Sequence, residues 1–204
     1  MIRMTSEHYL KEHPMAQKTI PALPNHFPYN ELLLNGKLSA KTRTWRWKHT
    51  GLTLLYTSTS TAWDVVGAHG LEDEVHTTPR MVLVGVGELL PVRELTEDER
   101  DQIDREFGNG DYIGTGAADY RYEFKNLKRF VEPVPFKPPH GAVRTYNVPL
   151  RIVAEALEEV GVVSVRCSHC KKSAFATNLR RSPVKITFDC LECGKHGMLS
   201  PRGA

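Results

Sequence analysis

Four cysteines occur in the chain, and they form two pairs, Cys167-x-x-Cys170 and Cys190-x-x-Cys193, with nineteen residues between the pairs. Each Cys-x-x-Cys turn aims two sulfurs at one point, so the two turns offer four thiolates. Zinc prefers that tetrahedral sulfur set, and four protein ligands leave no position for a reactive water. The spacing therefore predicts a structural zinc site. Two disulfides are the competing use of these residues, and an iron–sulfur cluster accepts the same donors. A thioredoxin-type redox pair would need a single Cys-x-x-Cys at a helix start. His169 and His196 stand beside the knuckles and read as bystanders, because the thiolates already complete the shell.

A second group lies far upstream. Lys41-Thr42-Arg43-Thr44-Trp45-Arg46-Trp47-Lys48 interleaves four cations with two indoles. Cations hold phosphates, and indole faces stack on unpaired bases at about 1–3 kcal/mol per base. In a strand, Lys41, Arg43, Trp45 and Trp47 share one side, and Thr42, Thr44 and Arg46 the other. The same pattern also fits tryptophans in the core with cations on a solvated rim. Thr57, Ser58 and Thr59 are candidate hydroxyl donors to a base edge, or ordinary turn residues, and Tyr120 and Tyr122 divide between core and stacking. His69, His76 and His140 show no ligand spacing.

The elements that would position these groups follow from local pattern. Residues 1–19 read as a polar arm. The prolines of 20–28 make that stretch extended or turning. Residues 30–35 read as a short helix stopped by Gly36, and 41–47 and 52–58 as strands. Trp63–His69 reads as a short helix and 72–80 as a loop. Residues 81–90 read as a buried strand in which Gly85 and Gly87 mark a bulge or a close backbone approach. Thr96 and Glu99 have capping-box spacing for a helix to about Glu106. A glycine-rich loop over 108–118 precedes a strand over 119–130, with Tyr120, Tyr122 and Phe124 on one face. Residues 143–148 could close the sheet, and 150–160 carry apolar residues at helix spacing.

Residues 173–177 and 184–189, turning through 178–183, form the hairpin of a zinc ribbon within a module of 161–204. So short a tail has little core of its own, and metal binding contributes on the order of 10 kcal/mol to folding such modules. From Arg166 onward eight basic residues face two acidic ones, a net +6, whereas residues 1–165 carry 19 basic and 22 acidic residues, a net −3. That asymmetry predicts a polyanionic partner for the module, through Lys171, Lys172, Arg180 and Arg181. The chain is 40% hydrophobic and 25% charged, the composition of a globular domain. No apolar run reaches the length of a membrane span, and Met1 to Ile20 lacks an apolar signal core. A cytoplasmic, reducing setting is expected.

Residues 32–58, 81–95 and 107–148 occur in an order that resembles the ASCH domain family, a branch of the PUA-like β-barrels, over about residues 20–157. The specific features are the turn LNGKLSAKTR leading into a strand, and the strand that ends in Pro133-x-Pro135 before Gly141. The family's turn reads Gly-x-Lys-x-x-Glu-x-Arg. Gly36 and Arg43 match it, Leu38 stands at the lysine and Lys41 at the glutamate. The resemblance implies an α+β fold: a PUA-like partly open β-barrel with flanking helices over 20–160, and a cleft for RNA or a modified nucleobase. Some members hydrolyse acetylated cytidine with a lysine, a threonine and a glutamate. Leu38 and Lys41 occupy the positions of the first two, and Glu88 is the candidate for the third.

The expected function is a nucleic-acid-binding protein, RNA before DNA, that reads a base in the cleft with Lys41, Arg43, Trp45 and Arg46 and needs no catalytic residue. The first alternative is a nuclease or modified-nucleoside hydrolase working through Lys37, Lys41, Arg43 or Glu88. The second is an adaptor whose ribbon docks on a protein.

Overall fold

A computed structural model describes residues 19–107, 119–140, 144–166, 169, 173–181, 186–190 and 195–199. They fall into two compact units. The larger is Pro21–Arg129 with Pro133–Tyr146, and the other holds Phe130–Glu132 and the described parts of Met1–Ile20 and Asn147–Ala204. The fold class is α+β, with a mixed sheet and few helices.

The larger unit is built on β1 (Thr19–Phe27), β2 (Ala40–Arg43), β3 (Gly51–Thr61), β4 (Val82–Leu89), β5 (Arg93–Glu94) and β6 (Tyr120–Pro135). The strand order is β2-β6-β4-β3-β1, with β5 also on β6. β1 and β3 run parallel, and the other described pairs of this sheet are antiparallel. Leu54 and Leu55 point to opposite faces of β3, yet both are buried, so this central strand is covered on both sides. Helices α1 (Tyr29–Leu34) and α2 (Trp63–His69) share a core of Phe27, Tyr29, Leu32, Val65, Val66 and Leu71.

Glycine is required where β4 meets β6. A Cβ on Gly85 would sit 2.5 Å from the Lys128 carbonyl oxygen, and the register slips on either side of this contact. Helix α3 (Glu97–Phe107) opens on the expected box: the Glu99 amide donates to Thr96 Oγ1 at 3.3 Å, and Glu99 Oε2 accepts from the Thr96 amide at 3.0 Å. Arg93 donates to the same carboxylate at 2.6 and 2.7 Å and, as the main cause, holds its pKa at about 2.

In the second unit, β7 (Tyr146–Pro149) runs into α4 (Leu150–Glu159), which buries Leu150, Val153, Ala156 and Leu157 along one stripe. Strands β8 (Val163–Arg166), β9 (Ser173–Arg181), β10 (Ile186–Cys190) and β11 (His196–Leu199) form an antiparallel sheet in the order β11-β10-β9-β8. Phe188 lies opposite Gly197, where a Cβ would come within 2.5 Å of its ring.

Three boundaries depart from expectation. The ladder of β2 stops at Arg43 because its partner β6 begins at Tyr120, directly opposite. β6 continues through Pro133 to Pro135, still paired with Val82. β9 continues to Arg181, so residues 178–181 are strand rather than turn. Among the described residues no helix is long and apolar enough to cross a membrane. The polar arm to residue 18, the glycine-rich loop 108–118, Cys167, Cys170, Cys193, Lys171 and Lys172 lie outside the described residues.

Candidate functional site

Lys41 is set into the larger unit by its strand. It pairs with Tyr122 of β6, and the residue is 7% exposed. Its Nζ lies 3.3 Å from the centroid of the Tyr29 ring, a cation–π contact. Burial first, and the nearby Arg43 second, push the lysine well below its ordinary pKa. Two residues on, Arg43 shares the face. Its Nη2 donates to Asn25 Oδ1 at 2.6 Å and to the Pro24 carbonyl oxygen. Its Nε is buried and has no hydrogen-bond partner among the described residues. Among the same residues no carboxylate pairs with either cation. A buried, unpaired donor costs about 1–3 kcal/mol, and a buried charge costs more.

The acceptors around the pair are already engaged. The parallel register places Asn25 of β1 opposite Thr57 of β3, and Asn30 of α1 bridges them. Asn25 Nδ2 donates to Asn30 Oδ1 at 2.7 Å, and Asn30 Nδ2 donates to Thr57 Oγ1 at 3.0 Å. Arg43 fixes the direction of this chain, because the guanidinium can only donate and must face the oxygen of Asn25. All three chain residues are buried. Ser58 Oγ, the neighbour of Thr57, is buried without a partner among the described residues. Exposed His26 borders the cluster, and partial burial, then Arg43 and Lys41, lower its pKa.

Trp45 stands at the edge of this group. Arg43 and Arg144 each place a guanidinium carbon 5.7 Å from the centroid of its ring. Tyr122 holds the segment: its hydroxyl donates to the Trp45 carbonyl at 2.6 Å and its ring meets the indole edge-on at 5.6 Å. Burial pushes this phenol up to about 12, so it stays a donor at neutral pH. Trp45 and Trp47 are both partly buried against Leu23, Leu89, Val92 and Tyr122, so each combines a packed side with an exposed one. The alternation of Lys41, Arg43, Trp45 and Trp47 persists past the end of the ladder, while Thr44, Arg46 and Lys48 are exposed.

The structure thus unites Lys41, Arg43 and Trp45 and leaves Arg46 on the solvent side. Lys37 acts on His69 instead, and Glu88 accepts from Asn126 at 3.3 Å. Asn25, His26, Tyr29, Asn30 and Arg144 belong to the cluster without having been singled out from the sequence. The one signal was position: Asn25 to Asn30 lead out of a proline-rich strand toward Lys41.

In the second unit, Cys190 ends β10, is buried, and lies opposite Ala176. It shares a strand face with buried Phe188, and its amide donates to the Lys195 carbonyl at 3.1 Å. Two hairpin connections, β8 to β9 and β10 to β11, leave the same end of this sheet. A ring nitrogen of His169, inside the first Cys-x-x-Cys, lies 3.0 Å from the carbonyl oxygen of His196, three residues past the second. His196 Nδ1 in turn lies 2.8 Å from Asp189 Oδ1. His169 is thereby tied to the backbone of β11, and His196 to Asp189 of β10. Arg180 and Arg181 lie in β9 opposite Thr187 and Ile186. Among the described residues no three His, Cys, Asp or Glu side chains converge as a metal set, three of the four cysteines being outside them. No family model matches the chain, and no curated protein matches it.

Proposed function

We propose that this chain is a nucleic-acid-binding protein, with a PUA-like larger unit that takes single-stranded RNA at Lys41, Arg43 and Trp45. One observation carries this reading: a buried lysine, Lys41, and a half-buried arginine, Arg43, share one strand face with no carboxylate among the described residues to neutralise them. Evolution of a stable core would remove such a pair, unless an anionic ligand supplies the missing charge. The half-exposed indole beside them gives an unpaired base a stacking face, which favours single strands over duplex.

The second unit would be a zinc ribbon with Cys167, Cys170, Cys190 and Cys193 as ligands. Support comes from buried Cys190, from the shared end of the two hairpins, and from the bond joining His169 to the strand after the second knuckle. Zinc would close that end of the sheet, and Lys171, Lys172, Arg180 and Arg181 would contact backbone phosphates.

The test is fluorescence anisotropy with labelled single-stranded RNA, single-stranded DNA and duplex DNA of one sequence, across a salt series. Binding should rank in that order, weaken steeply with salt, and fall at least about tenfold in Arg43→Ala. Equal binding of all three probes, indifferent to Arg43, rejects the proposal.

A second reading is enzymatic, favoured by the burial that lowers the pKa of Lys41 and so makes its amine a readier base or nucleophile than an exposed lysine. Metal-free turnover of labelled RNA or acetylated cytidine that disappears in Lys41→Ala would establish it.

A further inference from the structure

We propose that the Lys41–Arg43 cluster binds a phosphomonoester, the terminal phosphate of a nucleic-acid strand, rather than an internal phosphodiester or a base edge. The inference rests on the nucleic-acid reading above and specifies which part of the strand enters the larger unit.

Hydrogen-bond direction comes first. Asn25 Oδ1, Asn30 Oδ1 and Thr57 Oγ1 each already accept a bond within the chain that starts at Arg43. Of the buried side-chain atoms without a partner among the described residues, Arg43 Nε–H can only donate and the Ser58 hydroxyl is able to donate, and the Lys41 amine beside Arg43 is a donor as well. A base edge that mixes donors and acceptors would set its own donors against these. A group with acceptors on every side meets them all.

Charge comes second. Lys41 and Arg43 carry no carboxylate partner among the described residues, so the ligand best matched to them is a dianion. A neutral base leaves both cations uncompensated, and a phosphodiester supplies one charge. A terminal phosphate supplies up to two, with three non-bridging oxygens.

Access comes third. Lys41 is 7% exposed, and its amine sits over the buried ring of Tyr29. An internal phosphate drags chain in both directions and cannot reach so deep. A strand end can, with its terminal base on Trp45 and the next phosphate at Arg144 on the indole.

The test uses the full chain and four probes: one labelled single-stranded RNA with a 5′-phosphate, with a 3′-phosphate, with hydroxyls at both ends, and inorganic phosphate as competitor. One phosphorylated end should bind about tenfold or more tighter than the hydroxyl form. Millimolar phosphate should erase that preference and leave the residual binding. In Asn25→Asp, which supplies Arg43 with a carboxylate of nearly the same shape, the preference should vanish while a melting curve shows a folded protein. Lys41→Met should lose it as well. Equal binding of all three ends overturns the inference but leaves the nucleic-acid reading standing. Absence of binding by any probe overturns both.

Discussion

The Lys41 amine rests 3.3 Å above the Tyr29 ring, and the charge that acts on it is that of another cation, Arg43. A π face returns only part of the hydration that burial removes, and Arg43 makes the deficit larger. The pair therefore costs the fold stability, a cost that a bound anion would offset.

Removing that charge should therefore stabilise the fold. Lys41→Met keeps an unbranched side chain one atom shorter and should raise stability by about 1 kcal/mol or more, a rise in Tm of about 2–4 °C. The sign with pH follows from linkage. The folded pKa of Lys41 lies below 10.5, so folding expels a proton between the two values. The destabilisation is complete below the folded pKa and disappears as pH climbs to the unfolded one. Wild-type stability should thus gain on Lys41→Met as pH rises toward 10.5, measured as the difference between paired melting curves.

His26 reports the same field without ligand. Partial burial and the two cations hold its pKa below 6.5. Its imidazole, followed by NMR, should titrate below that value in wild type and move upward in Lys41→Met. An unchanged His26 would mean that its shift comes from burial and Arg43 without Lys41.

Chelation separates the two units. All three tryptophans, Trp45, Trp47 and Trp63, lie in the larger one. Purified protein should carry about one zinc per chain. A strong chelator should remove it and melt β8–β11 while tryptophan fluorescence stays native. Cys190→Ala should lower zinc content to near zero with the same spectroscopic result. Protein that contains no metal, with disulfides at these cysteines, contradicts the ribbon.

Local signals carried far where neighbours in sequence were also partners in space. Trp63–His69, the Thr96–Glu99 box and the close approach at Gly85 all depend on residues within a turn or on the absence of a side chain. The shared face of Lys41 and Arg43 followed from strand alternation. The hydrogen-bond chain was hidden because Asn25 and Thr57 meet only through the parallel register of β1 and β3, 32 positions apart. Pro21 and Pro24 obscured β1 itself, since prolines read as turn when the partner strand is unknown. The ends of β9 were hidden for a related reason: Arg180 and Arg181 look like a polar turn until paired with Thr187 and Ile186.

The most direct measurement pairs affinity with stability for Lys41→Met at neutral pH. Single-stranded RNA should quench Trp45 on binding wild type, and the variant should bind at least about tenfold more weakly while melting at a higher temperature. A variant that binds RNA as well as wild type, or that melts lower, would contradict the assignment of this buried cation to a ligand.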